Sequence, residues 1–322
     1  MCDENSIHLP ILLIGYSRTE RIQKIVLTLI SYGVDRIYVA LDFSEDLNIR
    51  VKQEELVKFL TELDDDRIII WYRQKNHGVA MGVITALDWF FYFNERGIVI
   101  EDDLEFGNDF LEFCKQALNR YSKDSILMVS GNRFDVLGEN DAVAGTNYPQ
   151  IWGWATWRDN WRKMRELILK EKKYSWSYLF RPNMSFFLTG AQRVFQGNID
   201  TWDVPLAFEM LKTQAICLLP PVNLVTNNGY DIHAIHTKDK VFPLGLARAE
   251  LREVKWLEFE EVQKTVTKTN DFLERRVFGV NALNVLSPLK LLMQDLFSNS
   301  SKRQSNALVH KLEEVEHFQR KG

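Results

Sequence analysis

Cysteine is scarce in this 322-residue chain, and its three cysteines share no motif. Cys2, Cys114 and Cys217 are far apart and odd in number, which argues against a disulfide framework and against a CxxC or Cys/His zinc site. The pattern favours a reducing, cytoplasmic setting. The first residues, Met-Cys-Asp-Glu-Asn-Ser, agree with it because they are acidic and polar, whereas a secretory signal starts basic and continues apolar.

The chain also lacks long apolar runs and a large excess of either positive or negative charge. No uninterrupted apolar stretch reaches the roughly 18 residues that a membrane-spanning helix needs. The formal net charge is −4, with 40 basic and 44 acidic residues well mixed, so no global field would attract nucleic acid. The composition therefore indicates an ordinary globular protein without a nucleic-acid partner.

Two common phosphate-binding motifs, GxxxxGK[ST] and GxGxxG, are absent from the sequence. P-loop nucleotide hydrolysis and dinucleotide redox chemistry therefore lack their usual phosphate cradle. Binding of a phosphate ligand would instead need a metal bridge, and carboxylate oxygens are suited to hold Mg²⁺ or Mn²⁺ for that purpose.

The first 130 residues alternate β-rich runs with helix-like stretches, which is the pattern of βαβ units. The predicted strands are 10–15, 36–41, 67–72, 97–100 and 125–130, and the predicted helices between them are 20–32, 51–63, 79–94 and 108–121. We therefore predict an α/β fold with a mostly parallel sheet flanked by helices. Right-handed crossovers would place the carboxyl end of every strand along one rim, where ligands bind.

A run of three acidic residues follows the fourth predicted strand. Glu101, Asp102 and Asp103 come directly after an apolar stretch, where adjacent carboxylates repel one another and lose hydration. A divalent cation that carries a phosphate ligand would relieve this repulsion. The alternative is that some of the three cap the next helix, although Asn108 and Asp109 are better placed to do so.

The other strand ends offer complementary groups. Gly15, Tyr16 and Arg18 combine a glycine that allows close approach with a cation suited to phosphate. Asp42, after the second strand, is suited to accept from a ring N–H, with a cap or an ion-pair partner as its alternative role. The polar loop from Asn76 to Gly78 opens a helix, and helix N-termini favour anions.

Four motifs in order resemble a known family. They are Pro-Ile-Leu-Leu-Ile-Gly-Tyr-Ser-Arg (10–18), Ala-Leu-Asp (40–42), Asn-His-Gly-Val (76–79) and Ile-Val-Ile-Glu-Asp-Asp-Leu (98–104). Together they resemble a nucleotide-sugar glycosyltransferase of the GT-A (Rossmann-like) fold. Glu-Asp-Asp-Leu-Glu followed by Asp-Phe-Leu-Glu-Phe is similar to the inverting N-acetylglucosaminyltransferase I type, and Ile-Trp-Gly-Trp-Ala-Thr-Trp-Arg (151–158) is similar to its bacterial relatives. The resemblance covers roughly residues 9–238.

The resemblance implies a donor site built around the acidic triplet. The triplet is a DXD-like motif, in which Asp103 would bind Mn²⁺ or Mg²⁺ on the diphosphate of the donor. The donor would be a nucleoside-diphosphate sugar, with a UDP-sugar favoured. Asp102 would contact the nucleotide or the sugar. Asp42 would meet the nucleotide base. A closing segment would fold over the phosphates, where either His236 or His233 would meet the metal. The remaining residues of the nucleotide pocket would be Gly15, Tyr16, Arg18, Asn76 and Gly78.

The resemblance also implies a carboxylate base, because inverting members remove a proton from the acceptor hydroxyl. Asp203, in Thr-Trp-Asp-Val-Pro, lies in a context like the family's Trp-Asp base motif, and Asp200 is its rival. The alternative role for Asp203 is a helix N-cap, because an apolar helix is predicted from Val204.

Tryptophans supply the candidates for acceptor contacts. Trp152, Trp154 and Trp202 are the candidates, since flat aromatic faces often hold sugars. Trp157 and Trp161 are four residues apart and instead suit one buried helix face.

Four segments are predicted along the chain. Residues 1–130 form the nucleotide-sugar-binding half and 131–253 the acceptor and catalytic half of one domain. Residues 254–297 form a helical C-terminal extension, and 298–322 a linker with a short amphipathic tail. The apolar segment 277–297 has three open roles, namely core packing, a homodimer contact, or peripheral contact with a membrane surface.

The sequence as a whole predicts a metal-dependent inverting hexosyl- or N-acetylhexosaminyltransferase. Its acceptor would be a hydroxyl group of a glycan that is linked to a lipid or to a protein. The enzyme would take part in the assembly of bacterial surface polysaccharide or glycoprotein. We therefore expect the protein in the cytoplasm, where the inner face of the membrane is one expected site. The alternatives are a sugar-1-phosphate nucleotidyltransferase, for which the single glycine of residues 15–18 is unfavourable, and a non-catalytic glycan-binding protein on the same fold.

Overall fold

The computed structural model describes residues 8–135, 141–172, 178, 180–229, 247–286, 288, 307–309 and 311–312. Its strands are β1 (Ile11–Gly15), β2 (Ile37–Leu41), β3 (Ile68–Tyr72), β4 (Arg96–Glu101), β5 (Leu104–Phe106), β6 (Met128–Ser130), β7 (Ala144–Thr146), β8 (Trp154–Trp157), β9 (Cys217–Leu219) and β10 (Val225–Asn227). Its helices are α1 (Thr19–Ser31), α2 (Leu47–Glu62), α3 (Gly78–Phe93), α4 (Asn108–Arg120), α5 (Arg158–Leu169), α6 (Pro182–Phe195), α7 (Asp203–Thr213) and α8 (Phe259–Phe272).

Eight strands form one sheet in the order β3-β2-β1-β4-β8-β6-β9-β7, and β10 pairs with β5. β3, β2, β1 and β4 run parallel, with Gly15 opposite Leu41, Leu41 opposite Tyr72, and Ile14 opposite Glu101. β8 then runs antiparallel to both β4 and β6. The register brings the carboxyl ends of the four parallel strands to one rim.

Alternation along β1 explains why helices cover both faces of the sheet. Leu12 joins one apolar cluster with residues of α3, α5, α6 and α7, whereas Ile11 and Leu13 join a second cluster with residues of α1, α2 and α4. Successive side chains of a strand point to opposite faces, so a strand that is apolar throughout must be covered on both sides. The α/β prediction, with a mostly parallel sheet flanked by helices, is confirmed.

One helix of the second half is missing from the sequence prediction. α6 spans Pro182–Phe195, where Ser185, Thr189 and Gly190 weaken the helical pattern. Packing compensates for this weakness, because Met184 and Leu188 are fully buried in the core. The hydroxyl of Thr189 is satisfied within the helix, where it donates to Ser185 O at 2.8 Å. Tertiary contacts thus override local propensity here.

The elements on either side of residue 157 also differ slightly from expectation. Trp157 ends β8, so it does not share a helix face with Trp161, which lies on the buried face of α5. The helix-like stretch of residues 158–172 forms α5, which ends at Leu169, and the helix predicted from Val204 is observed as α7, which begins at Asp203.

The helical character predicted from residue 254 is found in α8, in a π-helical turn (Leu273–Phe278) and in a 3-10 turn (Ala282–Leu286). α8 covers the edge strand β7, where Gly145 N donates to Thr265 Oγ1 at 2.8 Å. Val277 and Phe278 pack against the core, whereas Leu283 is 72% exposed. Among the residues that the structure describes, no helix has the length and apolar character to cross a bilayer.

The predicted amphipathic tail is partly visible. Leu308 and Leu312 are 3% and 7% exposed and belong to the same apolar cluster as Leu12. The sequence places Val315 on the same side of the tail as Leu308 and Leu312, but Val315 lies outside the described residues, as do residues 298–306 at the start of the predicted segment 298–322. The boundaries of the four segments stay predictions.

Replacement of Leu12 by alanine tests the double-faced core. Leu12 is fully buried, so Leu12→Ala is expected to lower the free energy of unfolding by about 3 kcal/mol, the middle of the range for buried leucines. The matched control Leu27→Ala alters a leucine that is 42% exposed and should change it by less than about 1 kcal/mol. Urea titration measures both, and equal losses would contradict the assigned core.

Candidate functional site

Loops that follow the four parallel strands meet at the carboxyl rim of the sheet. The strand ends Gly15, Leu41 and Tyr72 are aligned by the register, and Glu101 lies opposite the residue before Gly15. The predicted residues that these loops bring to the rim are Gly15, Tyr16, Arg18, Asp42, Asn76, Gly78, Asp102 and Asp103.

Asp102 ties the loop after β1 to the end of β4. Its Oδ1 accepts from Arg18 Nη1 at 2.8 Å and its Oδ2 from Tyr16 N at 3.0 Å, and the residue is 6% exposed. Gly15 instead accommodates α1, because a Cβ there would lie 2.4 Å from Cδ1 of Ile22 and that side chain would have to shift. Both oxygens of Asp102 are thus used within the protein, which makes this residue the organiser of the loop.

Glu101 and Asp103 have less compensation for their charge. Burial, together with repulsion from Asp103, Asp102 and Asp203, raises the pKa of Glu101 to about 8. Burial and repulsion from Asp102 raise the pKa of Asp103 to about 6, although Arg18 acts in the opposite direction. Arg18 Nη1 lies 3.7 Å from Asp103 Oδ2, farther than from Asp102. Asp102 is therefore the one acid of the triplet that an arginine binds closely, and burial and mutual repulsion disfavour ionisation of the other two.

The carboxylate of Asp103 faces the segment that follows β10. Asn228 N donates to Asp103 O at 2.8 Å, which extends the pairing of β5 with β10. A Cβ on Gly229 would lie 2.4 Å from Asp103 Oδ2, so the glycine leaves this oxygen the room that any other residue would fill. His233 and His236 follow Gly229 in the chain, but both lie outside the described residues.

The donor set at Asp103 is compatible with a hard cation. Its side chain is 19% exposed, and carboxylate oxygen is the ligand that Mg²⁺ and Mn²⁺ prefer. Within the described part of the chain, no three His, Cys, Asp or Glu side chains are grouped as a preformed metal shell. A cation at Asp103 would therefore take most of its ligands from phosphate and water, as Mg²⁺ commonly does.

Asp42 has partners within the protein. Its Oδ1 lies 3.4 Å from Arg73 Nη1, and His77 N lies 3.2 and 3.1 Å from its two oxygens. Burial raises the pKa of Asp42, while Arg73 opposes the shift. The carboxylate links the end of β2 to the loop between β3 and α3, and its contact with a nucleotide base stays a prediction.

The loop from Asn76 to Gly78 is held by its own hydrogen bonds. Asn76 Oδ1 accepts from Gly78 N at 2.8 Å, and Asn76 Nδ2 donates to Phe43 O at 2.9 Å. Gly78 has a φ of +73°, a conformation that favours glycine. The N-terminus of α3 does attract an anion, but the anion is a side chain of the protein, since Val79 N donates to Asp200 Oδ2 at 2.9 Å.

Asp203 begins α7 and differs from its rival Asp200 in what it contacts. Trp202 occupies the N-cap position, and no side chain there makes a capping hydrogen bond, so the structure does not give Asp203 the alternative role of cap. The hydroxyl of Thr201 donates to Asp203 Oδ1. Because its charge contributes to the raised pKa of Glu101, Asp203 lies within electrostatic range of the triplet. Asp200 is instead bound to the start of α3.

The three candidate acceptor tryptophans occupy different environments. Trp154 and Trp202 are 1% and 2% exposed, and their rings stack with centroids 5.7 Å apart. This burial argues against the acceptor role for both, because neither ring has a face open to a sugar. Trp152 is partly exposed, with its ring edge-on to Phe134 at 5.1 Å, and keeps the predicted role.

One buried side chain that no motif indicates joins two of the loops. Gln53 Nε2 donates to Tyr16 O and to Asp42 O, both at 2.7 Å. Its inward position follows from helix spacing, because the buried residues of α2 are Gln53, Leu56 and Leu60. The apolar periodicity of α2 is thus the sequence signal that places Gln53 on the buried face of the helix. It does not reveal that Gln53 binds Tyr16 O and Asp42 O.

No protein-family model and no curated protein matches the chain. Among solved structures it is similar to GalNAc-T7 with UDP, GalNAc and Mn²⁺, at 10% identity and a TM-score of 0.41 over 89% of this chain and 55% of that chain. It is also similar to the inositol-1-phosphate CTP transferase from T. maritima, at 14% identity and a TM-score of 0.37 over 69% of this chain and 89% of that chain.

A further similarity is to apo UDP-glucose pyrophosphorylase, at 12% identity and a TM-score of 0.35 over 66% of this chain and 90% of that chain. This chain covers about half the length of GalNAc-T7, namely 55%. Likenesses at these scores do not assign an activity, so the function rests on the residues of the chain itself.

Removal of the positive charge beside Asp102 tests the anchoring of the loop. Arg18→Met leaves a carboxylate that is nearly buried without its cation, so the free energy of unfolding should fall by about 2 kcal/mol, less than for a fully buried pair. A second change, Asp102→Asn, should recover part of the loss. Arg67→Met removes a more exposed pair with Asp65 and should cost less than about 1 kcal/mol. Equal losses for the two arginines, measured by urea titration, would contradict the anchor.

Proposed function

We propose that the chain is a metal-dependent inverting glycosyltransferase of the GT-A type. It transfers a hexosyl or N-acetylhexosaminyl group from a nucleoside-diphosphate sugar, preferably a UDP-sugar, to a hydroxyl group of a glycan or glycoconjugate. One observation carries the proposal. At the carboxyl rim, Asp103 has a partly exposed side chain beside Arg18 and Arg21, and the charge of Asp203 acts on Glu101 of the same acidic triplet.

The donor site is assigned to the loops around the triplet. Asp103 would hold Mn²⁺ or Mg²⁺, with His236 as a predicted further ligand, and the bound metal would stabilise the charge of the departing diphosphate. Arg18 and Arg21 lie beside Asp103, since Arg21 Nη1 is 3.4 Å from its carbonyl oxygen, and both provide cations for phosphate oxygens. Asp102 acts by holding Arg18 in place.

The base is assigned to Asp203. Its carboxylate accepts the proton of the acceptor hydroxyl while that oxygen attacks the anomeric carbon and the bond from this carbon to the diphosphate oxygen breaks. A single displacement inverts the anomeric configuration, so no protein nucleophile is needed. Asp200 is the weaker candidate because one of its oxygens already accepts from Val79 N.

The acceptor and the cellular setting follow from the resemblance. The acceptor is a glycan, lipid-linked or protein-linked, with Trp152 as the remaining aromatic contact. Assembly of a bacterial surface polysaccharide or glycoprotein in the cytoplasm, or at the inner face of the membrane, is the proposed context. A homodimer or a peripheral membrane contact through the C-terminal helices is part of the same proposal, and the exposed Leu283 and Leu286 are available for either.

Release of nucleoside diphosphate tests both carboxylates. With Mn²⁺ and a panel of nucleotide sugars and glycan acceptors, Asp203→Asn should lower kcat by about 10²- to 10⁴-fold, the usual contribution of a general base. Asp103→Asn should lower turnover and raise the Mn²⁺ concentration at half-maximal rate, because a metal ligand is lost.

The matched control for these variants is Asp124→Asn, which alters a carboxylate whose side chain is 78% exposed. This variant should retain the wild-type rate. Wild-type turnover in Asp103→Asn and Asp203→Asn would refute the site. Release of pyrophosphate from a nucleoside triphosphate and a sugar 1-phosphate would instead favour the nucleotidyltransferase alternative.

The anomeric configuration of the product tests the single displacement. Proton NMR of the initial product should give the configuration opposite to that of the donor, because Asp203 acts as a base and forms no bond to the sugar. Retention of the donor configuration would contradict the assigned role of Asp203 while leaving a donor site at Asp103 intact.

A further inference from the structure

The loop of residues 197–203, here called the base loop, connects α6 to α7 and carries Asp203 at its end. It starts at Gly197, whose φ of +75° favours glycine. Asp200 lies at its centre, and Thr201 donates to Asp203. The position of Asp203 therefore depends on what fixes the middle of this loop.

Asp200 fixes the base loop to the donor side of the rim. Its Oδ2 accepts from Val79 N at 2.9 Å, in the first turn of α3. The contact is close, since a Cβ on Gly78 would lie 2.6 Å from the same oxygen. A carboxylate at a helix N-terminus is favoured by the helix dipole and by the free backbone N–H groups. Asp200 thus joins the base loop to the helix that follows the Asn76–Gly78 loop.

The C-terminal tail approaches the same carboxylate from the other side. The tail is defined here as residues 307–309 and 311–312, and its Lys311 Nζ lies 3.2 Å from Asp200 Oδ1. Leu308 and Leu312 anchor the tail, because both are buried in the core. Ala307 borders the start of the base loop, where a Cβ on Gly197 would lie 3.4 Å from the Cβ of Ala307.

We propose that Asp200 is a positioning residue for the base and that the C-terminal tail holds it in place. Asp200 does not remove the proton from the acceptor. It keeps the base loop against the start of α3, and the tail, docked by Leu308 and Leu312, restrains the loop and places Lys311 against Asp200. The expected effect on catalysis rests on the proposed function, whereas the contacts of Asp200 and of the tail do not.

Variants of the full chain separate the hydrogen bond from the charge. Asp200→Ala removes both and should lower kcat at least about tenfold through misplacement of the base, with the donor dissociation constant within about twofold of wild type. Asp200→Asn keeps an oxygen for Val79 N, so its loss of kcat should be at most about fivefold, within the range of exposed ion pairs. Equal losses in Asp200→Asn and Asp200→Ala would overturn the proposal, because the charge itself would then be the essential feature.

The tail is tested with the double variant Leu308→Ser and Leu312→Ser. It should undock the tail and lower kcat about fivefold, again with donor binding within about twofold of wild type. Lys58→Met is the control for a surface change outside the tail and the base loop, because it removes an exposed lysine that pairs with Glu62 on α2, and it should have no effect. Wild-type kcat in the tail variant, with the tail shown by proteolysis to be released, would overturn the role of the tail.

Hydrogen exchange provides a readout that is independent of turnover. Exchange at Val79 N should become faster in Asp200→Ala and in the tail variant, and should stay near wild type in Lys58→Met and Asp200→Asn. Unchanged exchange in the first two variants would overturn the proposal even if sugar transfer is detected. If exchange becomes faster in these two variants but the wild-type chain transfers no sugar, the contact between Asp200 and Val79 N is supported and the proposed function is rejected.

Discussion

The ion pair between Arg18 and Asp102 is the interaction on which the rest of the rim depends. Three consecutive carboxylates at the end of a central strand are costly, and the protein neutralises one of them closely, at 2.8 Å. The same carboxylate accepts from Tyr16 N and so fixes the loop after β1. The two remaining acids keep raised pKa values, about 8 for Glu101 and about 6 for Asp103. A divalent cation bound at Asp103 would favour the ionised form of its carboxyl group, because a nearby positive charge lowers the pKa of an acid.

Two further contacts define the surroundings of this acidic centre. Gly229 lets the chain after β10 pack closely against Asp103, and the N-terminus of α3 is already occupied by Asp200. A phosphate ligand would thus meet the acidic centre and its arginines rather than a free helix terminus. The base candidate Asp203 comes from the other half of the chain, so the proposed reaction depends on contacts between the two halves.

Much of this arrangement could be predicted from the sequence, because strand ends and apolar periodicity are local signals. The four parallel strands, their shared rim and the acidic triplet all follow from such signals. The internal partners of Asp42 and Asp102 do not, since Arg73 and Arg18 reach these two carboxylates from positions that are far away in the sequence. The two buried acceptor candidates were chosen by residue type and by their neighbours in the chain, Gly153 for Trp154 and Asp203 for Trp202. Neither criterion carries information on whether a ring faces the core or the solvent. α6 was missed because packing outweighs its weak helix formers.

Binding of Mn²⁺ in the presence of UDP tests the central claim most directly, since it requires neither the acceptor nor the sugar. Electron paramagnetic resonance of free Mn²⁺, titrated with the wild-type chain and with Asp103→Asn, measures the affinity of each. We expect one Mn²⁺ per wild-type chain and an affinity at least about tenfold lower in the variant, because one of the few protein ligands is lost. Equal affinities in the two proteins would contradict the assignment of the acidic centre.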